Sequence, residues 1–159
     1  MKYFVESGLG IITAFCLYTF FSKVSFSLSQ LFNFFSLVVI YFALTRGEIH
    51  GAFMGTVSGL IQDSFSLGVF GVSGLAKTII GYIAGFISHR INVIPFIRNF
   101  FFIVIMISGE TALSIFLYNF ISSEYVSEIR PLIFFQPLST AFLGSFIFLL
   151  LRKIKKSRS

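Results

Sequence analysis

The stretch "RGEIHGAFMGTVSGLIQD", Arg46 to Asp63, decides how this chain folds. Gly47, Gly51, Gly55 and Gly59 stand four residues apart, and Asp63 falls one step further along the same row. A helix turns so that steps of four drift by only about 40°, which lines the four glycines up as a narrow stripe without side chains. Glycine weakens a helix in water, and a carboxylate is costly near lipid. The row makes sense where two helix backbones must approach closely, as small residues allow between membrane helices. It is not a phosphate-binding loop, because neither a Gly-x-x-x-x-Gly-Lys-Ser/Thr run nor a strand before a Gly-x-Gly-x-x-Gly run is present.

The surroundings agree with that solvent. The chain has 159 residues, of which 56% are hydrophobic and only 11% charged, and its mean hydropathy is +0.93. Soluble domains carry about 25% charged residues, so the composition implies an integral membrane protein. The fold expected is all-α, a compact bundle of six transmembrane helices forming one transmembrane domain over 1–159. The apolar runs lie at 3–21, 27–45, 49–66, 71–88, 99–121 and 131–151, each near the ~20 residues that cross a ~30 Å hydrocarbon layer. The third run is short and rich in glycine. It reads either as a span shielded by its neighbours or as a re-entrant segment.

Charge placement orients the spans. With both termini cytoplasmic, the inner segments hold Lys2, Arg46, Arg90, Arg98, Arg152, Lys153, Lys155, Lys156 and Arg158. The outer loops then hold only Lys23 and Arg130, with Lys77 inside a span. Nine inner against two outer basic residues follows the positive-inside rule. The outer loop "NFISSEYVSEIRP" adds Glu124 and Glu128. The basic tail 152–159 reads as an ordinary stop-transfer segment, with anionic lipid or a cytoplasmic partner as the alternative. The N-terminal run carries Glu6 and no small-x-small pattern, unlike a cleavable signal. Cys16 is the only cysteine, which excludes an intrachain disulfide; it is expected to serve packing.

The fourth span answers the glycine row. Gly74, Lys77, Gly81 and Gly85 are spaced three, four and four apart, within an arc of about 80°. The two spans are expected to form an antiparallel hairpin with Asp63 and Lys77 near its outer end. A buried charge needs a partner, and Asp63 with Lys77 is the economical pair. Glu110, in "SGETALS" near the middle of the fifth span, must also face the interior and competes for the same lysine. Asp63, Lys77 and Glu110 are thus the intramembrane polar or partner-facing candidates. Asn33, and Gln136 before a kink expected at Pro137, are further inward-facing residues.

No catalytic constellation is legible, and the chain reads as a non-enzyme without cofactor. His50 and His89 lack a Cys or carboxylate cluster at metal-ligand spacing, so no metal site is expected. No serine has a His–Asp partnership in prospect. No soluble basic patch with interleaved aromatics points to nucleic acid.

The run "YFALTRGEIHGAFMGTVSGLIQDSFSLGVFGVSGLAKTIIGYIAGFI" resembles the core of the rod-shape-determining MreD family. The resemblance rests on Arg46-Gly47, Gly55 to Gly59, Leu60 to Asp63, Gly68 to Gly71, and Lys77-Thr78 through Gly81-Tyr82 to Gly85. It implies a multi-pass subunit of the bacterial cytoplasmic membrane that serves the cell-elongation machinery. The implied partners are the single-span protein MreC directly, and MreB and the peptidoglycan synthases through it. A six-span chain of this size also resembles the substrate-binding S-component of energy-coupling-factor vitamin transporters. Those proteins present an Ala-x-x-x-Ala motif on their first helix, for which this chain offers Gly10-x-x-x-Ala14.

Overall fold

A computed structural model describes residues 2–24, 31–65, 69–90, 96–121 and 132–157. Within these the chain forms six helices and no strand: α1 (Lys2–Val24), α2 (Phe34–Arg46), α3 (Glu48–Phe65), α4 (Val72–Arg90), α5 (Phe96–Ile121) and α6 (Leu132–Ser157). The outer-loop residues Glu124, Glu128 and Arg130 lie outside the described residues.

The shortest of these helices is the hub. α2 has 13 residues, which at 1.5 Å per residue is only about 20 Å, yet it touches each of the other five. It begins inside the run expected at 27–45, of which 27–30 lie outside the described residues. The Asn33 side chain accepts from the Ser36 amide at 3.1 Å and caps the helix there, as asparagine does well because it satisfies an amide left free in the first turn. α2 also buries most of its circumference, with Phe34, Phe35, Val39, Ile40, Phe42 and Ala43 all enclosed. On one side Ile40 and Ala43 meet Ile80 and Ala84 of α4 and Phe102 to Ile107 of α5. On another, Phe34 and Phe35 pack with Ala14 of α1.

Gly47 makes the turn out of α2. It was expected inside the glycine row of a helix, but it is the one residue between α2 and α3 and is not helical. Its φ of 90° and ψ of −175° belong to a region open essentially to glycine alone, since a Cβ collides there. The reversal lets α3 run back along α2. A Cβ built on Gly51 would stand 2.7 Å from that of Ala43.

α3 and α4 then interlock. A Cβ at Gly51 would run into the Gly81 carbonyl, one at Gly55 into the main chain of Lys77 and Thr78, and one at Gly59 into Ser73 and Gly74. As one number rises along α3 the other falls along α4, so the pair is antiparallel. At the far end a Cβ on Gly85 would meet the backbone of Gly47 and Glu48. These are contacts of main chain on main chain, the closest approach two helices can make. Gly74 differs, because its added Cβ would meet Leu60 first, at 3.3 Å or more.

The outer surface is apolar. Phe20, Phe53, Ile79, Ile105 and Phe142 are each more than 40% exposed, on five different helices, whereas soluble monomers rarely expose contiguous apolar area of that extent. Among the described residues only α5 is by itself long and apolar enough to cross a membrane; 34–46 and 135–150 are shorter apolar helices. α3 and α4 fall below that measure for a physical reason. They spend positions on glycine, serine, Asp63 and Lys77, which average hydropathy penalises although they face inward. α6 continues through Pro137 to Ser157, so the basic segment begins as helix.

Candidate functional site

The polar residues of the interior converge on the first turn of α2. Glu110 of α5 accepts from Ser36 Oγ at 2.7 Å and from Asn33 Nδ2 at 3.2 Å. It also forms an ion pair with Lys77 of α4, whose Nζ donates in addition to Ser36 Oγ at 2.9 Å. The Asn33 amide donates to Thr140 Oγ1 of α6 at 3.1 Å, and that hydroxyl donates to the Leu31 carbonyl at 3.4 Å. Four helices thus meet in one hydrogen-bonded cluster. Lys77 is 1% exposed and Glu110 5%.

Each partner removes a cost another would incur. An isolated ammonium or carboxylate away from water is prohibitive, but a pair with its remaining donors and acceptors satisfied is tolerated. The positive end of the α2 dipole also favours a carboxylate beside its first turn. Serine bridges the two charges because its hydroxyl both donates and accepts. The result is a pin. The carboxylate, the ammonium and the serine are engaged with one another.

The pairing expected of Asp63 with Lys77 is not the one formed. The lysine goes to Glu110, and Asp63 serves the other end of the hairpin turn. Asp63 Oδ2 accepts from the Gly71 amide at 2.9 Å and the Gly74 amide at 3.2 Å. It therefore caps α4 from a neighbouring helix, where the first-turn amides lack intrahelical acceptors and negative charge is favoured. Gly71, with φ of 97°, shapes that turn. Sequence spacing placed Asp63 and Lys77 on facing stripes but could not show that the turn itself competes for the carboxylate.

Other candidates sit elsewhere. Gln136 is half-buried one turn before Thr140 on α6. His89 Nε2 lies 3.5 Å from Glu48 Oε2 at the mouth of the α3–α4 pair, and His50 is exposed. Cys16, expected in packing, is exposed on α1. Among the described residues no group of three or more His, Cys, Asp or Glu side chains is arranged to hold a metal ion. Ser36 and Thr140 were not singled out by sequence. The usable signal was that each hydroxyl lies on an inward stripe, and a polar atom there requires a partner.

A helical bundle that is greasy outside and keeps its ion pair within is built as a membrane protein is built. The chain belongs to the MreD family: the family model described as rod shape-determining protein MreD matches residues 4–154. That places it among the membrane proteins that determine rod shape. No curated protein and no solved structure matches the chain.

Proposed function

We propose that this chain is a multi-pass, non-enzymatic subunit of the bacterial cytoplasmic membrane. It binds MreC and, through MreC, helps organise MreB and the peptidoglycan synthases that build the lateral wall. The observation that carries this reading is the family match over residues 4–154. In this reading the six helices each cross the membrane as one domain, with both termini and the basic tail 152–159 on the cytoplasmic side. The glycines at 51, 55, 59, 81 and 85 hold α3 against α4. Lys77 and Glu110 are buried, so they fix the shape of the surface offered to a partner rather than touch the partner. Asp63 does the same for the turn into α4.

The vitamin-binder alternative has less support. Its docking motif would need Gly10 and Ala14 to face outward. A Cβ on Gly10 would instead lie 2.7 Å from the Phe42 ring, and Ala14 is buried against Phe34 and Phe35.

Purification in mild detergent from the native host tests the assembly role. The expected result is recovery of a single-span partner with a periplasmic coiled coil, together with loss of rod shape when the chain is depleted. Absence of that partner combined with unchanged cell shape would sink the proposal.

A further inference from the structure

A groove of about 570 Å³ runs between α1 and α6 over α2. Its walls are stripes of helical spacing, Leu9, Thr13 and Leu17 on α1 facing Leu37 on α2 and Phe148 on α6. The threonine hydroxyls within it are spent on their own helices: Thr13 Oγ1 donates to the Gly10 carbonyl and Thr45 Oγ1 to the Tyr41 carbonyl, both at 2.8 Å. The walls therefore offer mostly hydrocarbon, with the Tyr41 phenol among them. Among the described lining residues, charge gathers at one end, where Glu6 and Arg46 form an ion pair with side chains 47% and 21% exposed.

We propose that this groove binds one acyl chain of a zwitterionic, amine-headed phospholipid whose headgroup sits on the Glu6–Arg46 pair. The inference rests on the membrane setting that the family supplies, and not on the assembly role. Size favours a single chain. The space of about 570 Å³ falls within the ~300–1,000 Å³ of sites that hold small molecules. A transmembrane helix ~10 Å across and ~30 Å long encloses roughly 2,400 Å³, so most of it would stand outside the groove.

Charge selects the headgroup. The Arg46 guanidinium, paired with Glu6, attracts a phosphate, and Glu6 accepts from a primary ammonium next to it. A glycerol-headed anionic lipid satisfies the arginine but sets its net negative charge beside Glu6. A choline head has no N–H to donate to the carboxylate.

The test uses the full chain, purified in mild detergent with equal amounts of ethanolamine, glycerol and choline phospholipids of identical acyl chains. Bound lipid is read by native mass spectrometry. A charge-assisted hydrogen bond is worth enough that the ethanolamine lipid is expected to be retained about tenfold over each of the others. Thr13→Trp fills the groove at an exposed position and is expected to abolish that retention without lowering the melting temperature. Glu6→Gln is expected to erase the preference for ethanolamine over choline while leaving total lipid bound. Equal retention of the three lipids, or full retention in Thr13→Trp, overturns the proposal. A photo-crosslinking residue at position 13 gives an independent reading. Capture of phospholipid supports the proposal, and capture of a protein helix from native membranes overturns it.

Discussion

Ser36 looks like the least consequential member of the polar cluster, yet its hydroxyl stands between the ammonium and the carboxylate. It receives from Lys77 Nζ at 2.9 Å and gives to Glu110 Oε1 at 2.7 Å. Removing one charge of such a pair leaves the other buried and uncompensated, at a cost of about 3–5 kcal/mol, whereas replacing both by apolar residues of similar volume is often neutral. Lys77→Met and Glu110→Met are therefore each expected to lower the melting temperature in detergent sharply. The double variant Lys77→Met/Glu110→Met is expected to recover most of the loss. A double variant as unstable as the worse single one would mean that the two residues do not act as a pair. Asp63 belongs outside this coupling, because its carboxylate serves the Gly71 and Gly74 amides.

At the scale of the element, the α3–α4 hairpin depends on having no side chains where its main chains cross. Gly55→Ala puts a methyl group against the carbonyl and amide of Lys77 and Thr78, and backbone there yields less readily than a side chain end. Overpacking of this kind costs about 1–3 kcal/mol. Here it would also shift Lys77 away from Glu110. Gly8→Ala on α1 is the contrast, because nothing lies within 4 Å of its added Cβ and the helix gains about 0.5–1 kcal/mol by losing the flexible residue. Thermal unfolding of the two variants side by side is expected to move in opposite directions. Gly55→Ala as stable as the parent chain would show that α3 and α4 are not locked at this crossing.

For the whole molecule, six helices of which, among the described residues, only one is long and apolar enough by itself become a membrane protein by shielding one another. α2 is short and buries seven of its 13 residues, and α3 and α4 turn most of their glycines, Asp63 and Lys77 inward. The topology proposed above puts both termini on one side, with 122–131 opposite. It is checked by single-cysteine labelling in a Cys16→Ser background. Cysteines at positions 2 and 156 are expected to react with an impermeant reagent only after the membrane is opened, and one at position 126 beforehand. Labelling of position 156 in intact cells would reverse the orientation or change the number of crossings.

The glycine spacing of Arg46 to Asp63 and its answer around Lys77 were readable because helical geometry maps a period of four directly onto one face. So was the solvent, since composition alone leaves too few charges for a protein in water. The identity of each polar partner was not readable that way. Asp63 and Glu110 both had claims on Lys77 by depth, and only the packing of α5 against α4 brings Glu110 to the lysine while the turn at Gly71 occupies Asp63. Gly47 shows the same division, since its place in the row was visible but its left-handed backbone was not. What the sequence determined by itself is which faces must be buried and that the buried charges must find partners. The tertiary structure decided which partner each one takes, because contacts between residues far apart in the chain depend on how α2, α4, α5 and α6 meet, and no local spacing encodes that meeting.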